Sequence, residues 1–255
     1  MEKKYREGQF VWRELMTTDV AKAKAFYGEL LGWTFLDVPM AHGTYTLAKK
    51  GDTNVAGMMG FAPEGAPPPA WVSYVSTRDV DRCLAAAKEH GGGVILPASD
   101  AEGVGRFALM TDSTGGALGL LCSSEGDMPP PTRPETGMFC WESLSTTDIE
   151  KARSFFAAVL GWTTLPGPGG SLVVKAGEAM VADFGASPPG APTHWIQHVI
   201  IPTLETARAH AEKLGAKVLV PEIKVPTVGR MAFVTDPVGA VISLFEPDMT
   251  GMPSA

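Results

Sequence analysis

Apolar and polar residues alternate along 10–17, FVWRELMT, which predicts a strand. Beyond Asp19 the period changes. Ala23, Phe26, Tyr27, Leu30 and Leu31 recur at i, i+3, i+4, i+7 and i+8, one apolar face of a helix. Asp19 is placed to cap that helix, because a carboxylate there accepts from the free amides of the first turn. Gly32 is placed to end it, since glycine enters the left-handed region at little cost. Three short strands are expected near 33–38, 44–49 and 53–61, which gives the pattern βαβββ.

A second stretch has the same grammar. Trp71–Ser76 reads as a strand and Val80–His90 as a helix, ended by Gly91, Gly92 and Gly93. These glycines close a helix rather than open one, so they offer no row of N-terminal amides for a phosphate. A hairpin is expected from Arg106–Thr111 and Ala117–Leu121, about the turn Asp112-Ser113-Thr114-Gly115-Gly116.

The chain then repeats. FVWRELMTTDVAKAKAFYGELLGWT at 10–34 is answered by FCWESLSTTDIEKARSFFAAVLGWT at 139–163, with 13 of 25 positions identical at an offset of 129. GRFALMTD at 105–112 is answered by GRMAFVTD at 229–236, at an offset of 124. Asp79 also opens a helix 60 residues after Asp19. Four related modules are therefore expected, paired into two domains at 8–123 and 137–250. Residues 124–136 between them, rich in Pro and polar residues, read as a linker.

Composition narrows the class. Hydrophobic residues are 45% and charged residues 19%, enough for a packed core, while 29 Gly and 21 Pro suit many turns and argue against a helical bundle. The net charge of -7, without a basic block, disfavours a nucleic-acid partner and an anionic membrane surface. No apolar run approaches the ~18 residues of a membrane span. The start, MEKKYREGQF, has no apolar segment behind it, so no secretory leader is expected. Cys83, Cys122 and Cys140 are odd in number and far apart, which suits neither a disulfide framework nor a zinc cluster. A cytoplasmic protein, monomeric or weakly dimeric, is the expectation.

Paired βαβββ modules, Asp-capped helices, the FY…LLGW helix end and the GR-apolar-TD hairpin together resemble the glyoxalase/bleomycin-resistance/extradiol-dioxygenase superfamily, also called vicinal oxygen chelate. The tandem form is similar to two-domain glyoxalase-like proteins labelled hydroxylases or antigens. The resemblance implies an α+β fold, in which each pair of modules curls a mixed sheet into a cup with helices outside. It also implies where metal ligands would stand: Trp12, Val72 and Gly119 in the first cup, Trp141, Ile196 and Ser243 in the second. None is an imidazole, carboxylate or thiolate, so no metal and no other cofactor is expected.

The same carry-over, with strand parity, assigns Trp12, Glu14 and Tyr74 to the first cup and Trp141, Ser143 and His198 to the second. Glu14, Tyr74 and His198 are the candidate catalytic groups. A carboxylate on an apolar sheet face needs a partner, and Tyr74 is the expected donor. Trp12, Trp141 and Ser143 are candidate ligand contacts. Arg106 and Arg230 either bind an anionic ligand group or form rim ion pairs. Glu142 has the other parity and is expected to point away from the cup. His194 and His198 would be ~13 Å apart on a strand, too far to share one ion. Trp71 and Trp195 are expected to pack under helices. The functions in view are metal-independent lyase or isomerase chemistry, and bleomycin-resistance-type binding of a small aromatic or carbonyl-containing ligand. A structural role and a metal-dependent reaction with unusual ligands stand as alternatives.

Overall fold

The structure is a computed structural model that describes residues 3–40, 43–62, 64, 67–130 and 135–248. Part of the expected linker, 131–134, thus lies outside the described residues, as do 249 and 250 of the second expected domain. Each module is βαβββ. The first holds β1 (Phe10–Thr17), α1 (Val20–Leu31), β2 (Thr34–Met40), β3 (Gly43–Lys50) and β4 (Thr53–Gly60). The second holds β5 (Ala70–Ser76), α2 (Val80–Glu89), β6 (Gly93–Ala101), β7 (Gly105–Thr111) and β8 (Ala117–Ser123). The third holds β9 (Phe139–Thr146), α3 (Ile149–Leu160), β10 (Thr163–Pro166), β11 (Leu172–Ala176) and β12 (Ala179–Ala186). The fourth holds β13 (His194–Ile200), α4 (Leu204–Lys213), β14 (Lys217–Val225), β15 (Gly229–Thr235) and β16 (Val241–Pro247). Among the described residues no helix is long and apolar enough to cross a membrane.

The helix signals work as the sequence implies. Asp19, Asp79 and Asp148 each accept from the backbone N–H three residues on, and Gly32 closes α1 with φ 67°. The fourth helix departs from this. Thr203 makes no side-chain cap, and Glu246 accepts the Leu204 N–H at 2.6 Å instead. Sequence pattern did not reveal β6 and β14, because Pro97 and Pro221 coincide with register shifts that break the period of two.

Two curled, mixed, eight-stranded sheets form, in the orders β2-β3-β4-β1-β5-β8-β7-β6 and β10-β11-β12-β9-β13-β16-β15-β14. All four sheet-edge strands contain a proline: Pro39, Pro97, Pro166 and Pro221. Adjacent modules thus share a sheet, as the repeat implies. The buried cores divide otherwise. One compact unit comprises Met1–Trp12, Val72–Pro130 and Glu142–Ile196; the other comprises Arg13–Trp71, Pro131–Trp141 and Gln197–Ala255. Unit one buries Cys83 and Ala87 of α2 with Phe155, Phe156 and Val159 of α3, and includes Trp162 and Trp195. Unit two buries Phe26, Tyr27 and Leu31 of α1 with Leu204 and Ala211 of α4, and includes Trp33 and Trp71. Trp71 and Trp195 therefore lie in cores, as their parity implies.

Each unit is pinned by an indole. Trp33 Nε1 donates to the Gly137 carbonyl at 2.7 Å in unit two, and Trp162 Nε1 donates to the Gly8 carbonyl at 2.8 Å in unit one. Unit two adds a buried relay. Trp71 Nε1 donates to Tyr27 Oη at 2.8 Å, and Tyr27 donates to Asp236 Oδ2 at 2.7 Å. Asp236 Oδ1 accepts from the amides of Val238, Gly239 and Ala240. Burial pushes both the Asp236 carboxyl and the Tyr27 phenol above their usual pKa values.

Replacing Tyr27 by Phe strands a buried donor and a buried acceptor. The substitution is expected to lower stability by about 1–3 kcal/mol, read as a lower urea midpoint with an unchanged denaturant slope.

Candidate functional site

Parity sorts the side chains of each half-sheet. In unit two Leu15, Ala48, Ala56 and Met58 join the core beneath α1. Glu14, Tyr45, Leu47, Gly57 and Met59 take the opposite face, with Glu14 paired to Gly57 across β1 and β4, and Tyr45 paired to Met59 across β3 and β4. Tyr45 Oη donates to Glu14 Oε2 at 3.3 Å, and Glu14 is only 8% exposed. Gly57 makes that reach available. A Cβ there would stand 1.8 Å from Tyr45 Oη and 2.4 Å from its Cζ. Tyr45 was not among the sequence candidates. The alternation of β3 marks its face, but only the strand order β3-β4-β1 brings it towards Glu14.

The expected donor, Tyr74, sits in unit one, opposite Gly119 on β8. Its ring lies 2.3 Å from where a Cβ of residue 119 would stand. Trp12 is half-buried in the same unit. Ser143 pairs with Asp183 across β9 and β12 and donates to Asp183 Oδ1 at 2.6 Å. Asp183 thus supplies a carboxylate from the neighbouring strand. Glu142 shares the parity of Leu144, which lies in the core, and is itself buried.

In unit two Trp141 is half-buried, and His198 stands opposite Ser243 on β16. His198 is 2% exposed, edge-on to Phe233 and Phe245 at 6.3 Å and 6.4 Å between ring centres. Burial lowers its pKa from 6.5 to about 4, so the ring is neutral near pH 7 and a weak base.

Both arginines are held in ion pairs. Arg106 Nε and Nη1 bond Asp81 on α2 and Asp100 on β6 at 2.7 Å and 2.6 Å. Arg230 bonds Glu205 on α4 and, at 2.7 Å, Glu246 on β16. Both share parity with core residues, Ala108 and Ala232, so they lie on the helix side of their sheets. The ion-pair reading holds. A groove of about 1090 Å³ in unit two is lined by Lys50, Cys140, Lys224, Arg230, Phe245 and Glu246 among others. Within it Arg230 donates to Glu246, and Lys50 donates to the Leu31 carbonyl.

Known proteins share this architecture. Residues 9–118 match the family described as the Glyoxalase/Bleomycin resistance protein/Dioxygenase superfamily. CFP32 of Mycobacterium tuberculosis, provisionally named a glyoxylase, is 35% identical over 253 residues, covering 95% of this chain and 96% of its own. The chain belongs to the glyoxalase/bleomycin resistance/dioxygenase superfamily. The anthracycline biosynthesis protein DauV of Streptomyces is 29% identical, over 95% of this chain and 94% of DauV. The Mn(II)-bound glyoxalase from Novosphingobium aromaticivorans shares the fold, with a TM-score of 0.64, 16% identity, and coverage of 94% of this chain and 82% of that one.

A metal of the superfamily type does not fit the residues present. Trp12, Val72, Trp141, Ile196 and Ser243 offer no imidazole, carboxylate or thiolate. At residue 119 a Cβ would stand 2.3 Å from the Tyr74 ring, so a side chain there would have to displace that ring. Among the described residues no three His, Cys, Asp or Glu side chains group closely enough to hold an ion.

Two outcomes follow from this geometry. Gly57→Ala is expected to drive Tyr45 off Glu14 and to cost about 1–3 kcal/mol of stability, measured by urea unfolding. For His198, the unfolded chain takes up its proton near pH 6.5 and the folded chain only near 4. Its contribution is therefore full above pH 6.5 and falls as the pH drops towards 4. Between pH 7.5 and 5 the loss is about 2 kcal/mol. It is read as the difference in urea stability between the native chain and His198→Gln at the two pH values.

Proposed function

We propose that this superfamily member binds a small carbonyl-containing or aromatic ligand at the Glu14 face of its first sheet without a catalytic metal, and that Glu14 is the acid–base group there. The reading rests on one observation: a nearly buried carboxylate, held by Tyr45, on a sheet face that it shares with Leu47, Gly57 and Met59. Retaining a carboxylate on such a face is costly unless it has partners. A held carboxylate can take a proton from carbon next to a ligand carbonyl, and the Tyr45 hydroxyl keeps the accepting oxygen aimed. The glyoxylase name of CFP32 supports a carbonyl ligand. The name of DauV supports a planar polyketide-like one. Loss of every carried-over metal position favours a second reading, in which the same face sequesters its ligand without chemistry.

The test is a ligand screen of the chelator-treated protein with aldehydes, their thiol adducts and planar aromatics, by calorimetry and by product analysis. Glu14→Gln keeps the shape and removes the charge, so binding or turnover is expected to fall by about tenfold or more. Ser143→Ala is expected to change either by less than about twofold. Equal losses in both variants, or an unchanged Glu14→Gln, would sink the assignment. Turnover restored only by stoichiometric zinc, nickel, manganese or iron would sink the metal-free reading.

A further inference from the structure

Around the groove of unit two, the two long repeats differ in chemistry. At the offset of 124, Ser76, Thr77 and Arg78, where β5 ends, are answered by Ile200, Ile201 and Pro202, where β13 ends. Leu121 is answered by Phe245. In the first repeat the polar run is used by the fold. Ser76 Oγ donates to Asp127 Oδ2 at 2.5 Å, and Arg78 pairs with Glu7. In the second repeat Ile200, Ile201, Pro202 and Phe245 all line the groove of about 1090 Å³. That is the size of a cleft for a small organic molecule, about 300–1,000 Å³.

A charge is reversed at the same place. On β6 and β7, Asp100 stands opposite Arg106 and pairs with it at 2.6 Å. At the matching rung of β14 and β15, Lys224 stands opposite Arg230. Like charges across a rung are unfavourable. Arg230 is answered by Glu205 and Glu246, whereas Lys224 is exposed and has no ion pair among the described residues. Lys50 gives its ammonium to a neutral acceptor, the Leu31 carbonyl. The groove wall also holds strain. Thr227 has φ 66°, where the first repeat has Gly103 at φ 74°. A β-branched residue in the left-handed region is costly, and such cost is characteristically kept at functional sites.

We propose that this groove is a binding site for a small amphipathic anion, an apolar body of roughly naphthalene size that carries a carboxylate. Ile200, Pro202 and Phe245 take the body, and the Lys224 ammonium takes the carboxylate. Glu135 and Asp248 also line the groove, so its total charge does not select the ligand. The reversal at 224 does: an anion there relieves the opposition of Lys224 and Arg230, and a cation adds to it. No residue of the Glu14 face lines the groove, and binding here is independent of any chemistry at Glu14.

Calorimetry of the full chain with three probes of one shape tests this: naphthoate, uncharged naphthylmethanol and cationic naphthylmethylammonium. Naphthoate is expected to bind most tightly. Lys224→Asp, which installs the residue of the first repeat, is expected to weaken naphthoate by about tenfold or more and naphthylmethanol by less than about twofold. Ile200→Ser, likewise the residue of the first repeat, is expected to weaken all three probes by about threefold or more. If Lys224→Asp fails to fold, Lys224→Gln is read by the same criterion, selective loss of naphthoate. Four results would overturn the proposal: no naphthoate binding at millimolar concentration, tighter binding of the ammonium probe, unchanged naphthoate binding in the Lys224 variant, or equal loss of naphthoate and naphthylmethanol in it.

Discussion

Two indole hydrogen bonds tie distant parts of the chain together, and the layout of the cores depends on them. The tryptophan that follows the first helix of each long repeat donates to a backbone carbonyl near the start of the other repeat: Trp33 to Gly137, and Trp162 to Gly8. A buried carbonyl outside a strand must find a donor, and an indole N–H set within an aromatic cluster finds few acceptors. Each satisfies the other. The bonds place Trp33 with Tyr27, Trp71 and Phe139, and Trp162 with Phe156, Phe184 and Trp195. Hydrogen bonds along each sheet stay within one long repeat, and these clusters do not. Neither repeat alone supplies all the residues of either core, so folding must close loops of more than a hundred residues.

Much of the fold was legible from local chemistry. The Asp caps, the left-handed Gly32 and Gly161, and the apolar stripe from Ala23 to Leu31 depend only on neighbours in sequence, and each stands where the pattern puts it. The strands that escaped, β6 and β14, are those in which a proline and a register shift interrupt the alternation. The candidate site was half legible. Parity placed Glu14 and Leu15 on opposite faces of β1, but the partner of Glu14 depends on which strands are neighbours. Tyr45 is 31 residues away from Glu14, and sequence spacing carries no trace of that meeting. Likewise Arg106 and Arg230 follow a glycine alike in both copies, yet only the positions of α2 and α4 reveal that carboxylates claim them.

A glycine packed against a tyrosine occurs at two places in this chain. Gly57 lies beneath the Tyr45 hydroxyl and Gly119 beneath the Tyr74 ring. At 119 the superfamily pattern would call for a carboxylate side chain, and here an aromatic ring fills its space. The change cannot be undone by one substitution. Restoring an acid at 119 would first require the removal of Tyr74, and the other carried-over positions would still present indole or aliphatic groups.

The prolines at the sheet edges bear on a different matter. Two open sheets present four borders, and these strands also expose apolar side chains, among them Leu36, Ile95, Leu165 and Leu219. Sticky side chains beside unpaired amides and carbonyls are the ingredients of runaway strand addition. Pro39, Pro97, Pro166 and Pro221 each delete an amide hydrogen, and at Pro97 and Pro221 the strand is irregular as well. A second copy arriving at any border meets a ladder with a missing rung. Each border thus carries, beside its exposed apolar side chains, a position that cannot donate to an added strand.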